Sequence, residues 1–202
     1  MALQIDLERL MEATAARIIA AADELTELDS AIGDADHGLN MKRGFEAILA
    51  DRAAILAKPL PEALKAIGMT LVMKVGGASG PLYGTLFMTL GKELPAEPAL
   101  PDLARAMAAV VEALKARGKA DFNNKTLLDV LGPVADHLAG VGVNFDSVRN
   151  LAKERAEATI PMKAIRGRAS FLGDRSISHM DPGSRSSQIL IEAVCDTLEG
   201  RS

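Results

Sequence analysis

The chain has 202 residues, enough for one full hydrophobic core, and its 49% hydrophobic and 25% charged residues are the balance of an ordinary globular protein. A net charge of −4 and an aromatic share of 3% exclude the basic surface and stacking platforms that nucleic-acid binders use. No apolar run nears the roughly 20 residues that cross a bilayer, no secretory signal opens the chain and Cys195 has no partner cysteine, so the expectation is a cytoplasmic protein with neither membrane nor nucleic acid as partner.

Helices are predicted throughout, since no stretch alternates as a strand would. The first, about 5–27, sets Leu7, Leu10, Met11, Ile18, Ala22 and Leu25 on one face, with Thr14 the one polar residue in that rhythm. A second starts near Gly38 and carries Met41, Phe45, Ile48 and Leu49. Lys58-Pro59-Leu60-Pro61 breaks the chain, because proline lacks an amide N–H and restrains the residue before it. Pro61 then opens a third helix running towards Val75.

A Gly-rich junction at 76–81 leads into a fourth helix with Leu82, Leu86, Phe87 and Leu90. Three prolines within 95–101 mark a spacer, and a fifth helix follows from Asp102 to about Arg117. The sixth runs from about Thr126 to Leu138 with a kink at Pro133, and the seventh from roughly Asp146 to Ile165 with a kink at Pro161. After a polar loop at 167–185, the eighth carries Ile189, Leu190, Ile191, Val194 and Leu198. Eight helices on short or moderate loops predict an all-α, antiparallel up-and-down bundle or barrel, one domain over residues 1–202.

Four loops are not built for packing alone. In Leu28-Asp29-Ser30-Ala31-Ile32-Gly33-Asp34-Ala35-Asp36-His37-Gly38-Leu39-Asn40, three aspartates crowd one interhelical corner. Two carboxylates about 5 Å apart repel by roughly 3 kcal/mol at an effective dielectric near 20. Helix capping accounts for one acid and one glycine; the rest point to a hard cation such as magnesium. A calcium EF-hand is excluded by spacing, because counting from Asp34 puts Leu39 where its glycine belongs and Phe45 where its glutamate belongs.

Gly76-Gly77-Ala78-Ser79-Gly80 ahead of a helix is either a phosphate-cradling turn or a plain helix–helix turn. It is no P-loop, for lack of a Gly-Lys-Ser/Thr ending, and no hydrolase elbow, because Pro81 takes the last glycine's place. Gly118-Lys119-Ala120-Asp121-Phe122-Asn123-Asn124-Lys125-Thr126 reads as a solvated turn with Thr126 capping the sixth helix. The long loop 166–183 carries Arg168 and Arg175, guanidinium groups suited to phosphate oxygens, or is a solvated basic crossover. His37 either contacts a nucleotide or carries a phosphoryl group; His179 is a base or a loop residue; His137 packs or lies at the surface. The spacings give no zinc site, and Cys195 reads as a small core residue.

Taken in order, Leu-Asp-x3-Gly-Asp-Ala-Asp-His-Gly-x-Asn, Gly-Gly-Ala-Ser-Gly-Pro, Arg-Gly-Lys-Ala with Lys-Thr, and Gly-Arg-Ala-Ser-Phe-Leu-Gly-Asp-Arg-Ser-Ile with His-x-Asp-Pro-Gly resemble the nucleotide-binding L subunit of dihydroxyacetone kinases from about residue 5 to 198. That resemblance implies an eight-helix antiparallel barrel with the nucleotide at one end. It implies two Mg2+ ions on Asp29, Asp34 and Asp36, and an ADP or ATP site lined by His37, Gly38, Leu39, Asn40, Ala78 and Ser79. Gly118, Leu127, Arg168, Asp181, Pro182 and Gly183 complete the site, with Arg168 as the catalytic clamp on the phosphates.

A separate small L subunit looks like the phosphoenolpyruvate-dependent kind. In that kind ADP stays bound, receives a phosphoryl group from a phosphotransferase-type subunit and gives it to dihydroxyacetone on the K subunit. A homodimer is left open. The chain departs from the family's pattern at Asn123-Asn124, where Gly-Asp is usual, and at Leu127, where Met is frequent. These changes bear on the loop's conformation and on the sugar, such as a tetrulose. Use of free ATP and a non-catalytic nucleotide-dependent binding module are the alternatives.

Overall fold

The computed structural model describes residues 3–201. Ten α-helices and one 3-10 segment carry the described residues, with no strand among them: α1 Leu7–Ala20, α2 Ala22–Ile32, α3 His37–Ala50, α4 Arg52–Leu56, α5 Leu60–Lys74, α6 Ser79–Glu93, α7 Leu100–Gly118, α8 Leu128–Leu138, α9 Phe145–Glu157, the 3-10 segment Arg168–Ser176 and α10 Pro182–Leu198. The count exceeds the expected eight because single residues interrupt two rods. Ala21 separates α1 from α2, and Asp51 separates α3 from α4. Hydrogen bonds bridge both breaks, from Ala21 N to Arg17 O at 3.0 Å and from Asp51 N to Ala47 O at 3.1 Å. Each pair therefore still runs as one bent rod.

Local chemistry sets the ends. Asp6 caps α1 by accepting from Arg9 N at 3.0 Å, and Asn144 caps α9 by accepting from Ser147 N at 2.8 Å. Pro59 precedes α5 and Pro61 lies in its first turn, where a missing N–H costs nothing. The seventh helix stops at Glu157, eight residues short of the expected Ile165. Pro161 restrains the residue before it away from helical backbone, so the chain turns at 158–161 instead of kinking. Pro133 does lie inside α8.

α1, α3, α5, α6, α7, α8, α9 and α10 pack each on the next in chain order, and α10 returns to α1. The ring buries one continuous apolar cluster that includes Ile18, Leu25, Met41, Phe45, Leu71, Val110, Leu128 and Val130, and each such side chain contributes about 1.5–3 kcal/mol. An apolar cavity of about 210 Å³, lined by Leu10, Met11, Leu64, Ile67, Leu138 and Leu198 among others, fills part of its interior. An up-and-down ring sends alternate loops to the same end. The connections α2–α3, α5–α6, α7–α8 and α9–α10 therefore share one end, and these are the four loops that the sequence sets apart. No described helix is long and apolar enough to cross a membrane.

Candidate functional site

At that end, α2 runs out in Asp29, and the chain turns at Gly33 before Asp36 leads into α3. Asp29 is buried; its Oδ2 accepts the backbone N–H of Asp36 at 2.9 Å and of His37 at 3.2 Å, which folds the corner back on itself. Gly38 allows it: a Cβ there would sit 1.9 Å from Ala22 O, inside the packing of α3 on α2. One carboxylate oxygen each of Asp29, Asp34 and Asp36 lie within 4.8 Å of one another. An all-oxygen, all-anionic set at that spacing fits a hard divalent cation. Asp34 also receives Arg168 Nη2 at 2.9 Å; the arginine side chain is 71% exposed, so this pair stabilises little.

The second loop meets the first. Gly77 turns at φ +63, a conformation that favours glycine, and a Cβ there would lie 3.9 Å from Asp36 Oδ2. Ala78 and Ser79 then open α6, whose first N–H groups lack helical acceptors. His37 links both loops to α10: its Nδ1 pairs with Ser79 Oγ at 2.9 Å and its Nε2 with Ser186 Oγ at 2.9 Å. Burial depresses the imidazole's pKa to about 4, only partly offset by the Asp29 charge. The ring is therefore neutral near pH 7 and holds the Ser79 hydroxyl in place. With neither nitrogen open, the structure gives no support to a phosphoryl carrier at His37. Ser186 passes the network on to the Tyr83 hydroxyl at 2.6 Å, which also donates to Gly183 O at 3.1 Å.

Asp181 caps α10, accepting from Ser184 N at 2.6 Å, and its carboxyl is pushed up to about 7, chiefly by burial. Pro182 is buried behind it, and Gly183 lies against Leu127, also buried. Gly118 ends α7 beside Leu82 of α6. Asn40 is buried next to Gly76, while Leu39 is exposed. The expected site residues thus gather at one end, drawn from all four loops.

Four residues escape a sequence reading. Asp129 is buried and accepts the N–H of Asn123 and, at 2.8 Å, of Thr126, fixing the third loop. Lys125, read as part of a solvated turn, is buried in that loop. Tyr83 and Ser186 build the relay behind Ser79, and only the fold brings them there. Asn123 adopts φ 61, which asparagine tolerates better than most side chains.

A closed ring of antiparallel helices with an acidic corner and a glycine turn at one end defines a class, and the DAK2 domain matches residues 31–196. The chain belongs to the DAK2-domain family. It is 41% identical over 182 residues to the PEP-dependent dihydroxyacetone kinase, ADP-binding subunit DhaL, of Escherichia coli (strain K12), covering 86% of this chain and 87% of that one. It is also 41% identical over 174 residues to the PEP-dependent dihydroxyacetone kinase 1, ADP-binding subunit DhaL, of Listeria innocua, with 86% of each covered. The dihydroxyacetone kinase from C. freundii, solved in complex with AMP-PNP and Mg2+, shares the fold at a TM-score of 0.74 and 23% identity. The match covers 95% of this chain and 33% of that longer one.

Proposed function

We propose that residues 1–202 form one nucleotide-binding domain and act as the ADP-binding, L-type subunit of a phosphoenolpyruvate-dependent dihydroxyacetone kinase in the cytoplasm. The observation that carries the reading is the trio of carboxylates within 4.8 Å facing the glycine turn and the start of α6. Asp29, Asp34 and Asp36 hold two magnesium ions, and His37, Gly38, Leu39 and Asn40 line the nucleotide with Ala78, Ser79, Gly118, Leu127, Arg168, Asp181, Pro182 and Gly183. Bound magnesium supplies positive charge against polyphosphate oxygens. Phosphoryl transfer needs positioning and charge neutralisation more than covalent help, and this chain's groups provide those.

Asp29 is locked by two backbone N–H groups, so it presents its carboxylate without reorganising. The neutral His37 orients the Ser79 hydroxyl towards the phosphates. Arg168, the catalytic clamp, exchanges Asp34 for phosphate oxygens as charge develops on them. Partners are a K-type subunit holding dihydroxyacetone and a phosphotransferase-type donor subunit. Leu39, Met73 and Phe171, apolar and 55%, 67% and 87% exposed at this end, support protein docking there.

The test mixes the chain with dihydroxyacetone, a K subunit, catalytic ADP and the donor system, and follows the triose phosphate. Turnover should stop when the K subunit, ADP or the donor system is omitted. Turnover sustained by ATP alone, with ADP plus donor inert, would make the chain a free-ATP kinase subunit instead.

A further inference from the structure

Lys125 is a charged side chain only 1% exposed, and among the described residues it forms no ion pair. Its Nζ instead donates to main-chain carbonyls: Ser176 O at 2.6 Å, His179 O at 2.6 Å, Met162 O at 3.0 Å and Ile160 O at 3.4 Å. An ammonium has three N–H donors, so every one is engaged. Burial lowers its pKa, opposed by the Asp181 carboxylate. Taking an ammonium out of water is costly unless its hydrogen bonds are fully replaced, and here only backbone replaces them. A surface lysine would have served an ordinary turn; this one is committed to a particular arrangement of chain.

The acceptors lie on one segment, 160–179, which leaves α9, carries Arg168 and runs into the Asp181 cap. That segment is tied mostly to itself, through Ser178 N to Ile160 O at 2.8 Å, Ala164 N to Ser176 Oγ at 2.9 Å and Lys163 to Asp174 at 2.8 Å. Lys125 attaches it to the third loop, with Ile165 N to Asn124 O at 3.2 Å beside it. The lysine's own loop is held by Asp129, and Lys125 and Asn123 both sit in left-handed backbone, at φ 62 and 61. Strained backbone persists where surrounding contacts over-determine it.

We infer that Lys125 is a positioning residue for phosphoryl transfer: its ammonium clasps segment 160–179 so that Arg168 and the Asp181–Gly183 turn face the acidic corner. The role rests on the proposed nucleotide site, and Lys125 touches no part of the nucleotide itself. It acts by joining the third and fourth loops into one wall.

The test compares Lys125→Met, similar in size but uncharged, with Ile55→Ala, a buried change at the far end of the barrel that lowers stability alone. Dissociation of Mg·ADP, kcat and KM are read for each, beside the melting temperature. Misplacing a charged clamp by about 1 Å can cost up to about 100-fold, so Lys125→Met should release Mg·ADP at least about tenfold faster and lower kcat, whereas Ile55→Ala should change neither by more than about twofold. Methylammonium should restore part of the affinity to Lys125→Ala. A folded Lys125→Met that holds Mg·ADP and turns over like wild type overturns the clasp alone; a wild-type chain that takes no Mg·ADP overturns the proposed function and the clasp with it. Should the variants not fold, hydrogen exchange on the wild-type chain decides. Mg·AMP-PNP should protect amides 123–127 and 160–181 together, and protection of 160–181 alone would overturn the inference.

Discussion

The acidic corner and the far end of the barrel are built on the same kind of helix but handle charge in opposite ways. Away from the motif loops, acids meet arginines: Arg149 pairs with Asp146 and, at 2.8 Å, with Asp196, whose other oxygen takes Arg17 at 2.5 Å. At the motif end, three aspartates crowd together and, among the described residues, Arg168 is their sole ion-pair partner. Lys125, close by, gives its charge to carbonyls instead. Paired charge holds a fold together, whereas crowded like charge is an energy cost that a bound cation relieves. The difference separates the contacts that stabilise from the corner that binds.

The sharpest way to break the contrast is Asp36→Asn. It should abolish retention of Mg·ADP while leaving the melting temperature of the nucleotide-free protein equal or higher, because it removes repulsion as well as a ligand; thermal scans with and without Mg·ADP check both. Next is Gly38→Ala. Its Cβ has no room beside Ala22 O, so urea unfolding should show a loss of about 3 kcal/mol, with nucleotide affinity falling as the corner opens.

A third test uses pH. Burial raises the Asp181 carboxyl from 3.8 to about 7. Between those values the folded chain keeps a proton that the unfolded chain has released, so this group's contribution is full below pH 3.8 and lost as pH rises through about 7. Asp181→Asn keeps a capping oxygen but has no proton to lose. Its stability relative to wild type should climb across that window, by about 2 kcal/mol or more, as urea unfolding at a series of pH values would read. The smallest effect belongs to the far end. Arg149→Met should cost about 1–2 kcal/mol of stability, and Mg·ADP affinity measured on the same sample should not move.

What the sequence shows and what it hides follow from range. The acidic corner is legible because its three aspartates fall within eight residues, and the glycine turn because its residues are contiguous. The ring order is legible because short connections force neighbours to be antiparallel. The relay from His37 to Ser186 joins residues 149 apart, and no local pattern announces it. Lys125 stays hidden for a different reason, since its partners are carbonyls, which every residue has. Helix ends misled where two principles compete. Pro161 reads equally as a kink or a stop, and the break at Ala21 falls on the residue type that least favours one.

The most direct measurement is calorimetric titration of ADP into the nucleotide-free chain, with Mg2+, without it, and with Asp29, Asp34 and Asp36 all changed to Asn. Binding should be tight in the first case and absent in the other two. ADP bound equally well without Mg2+, or by the triple variant, would contradict the proposed site.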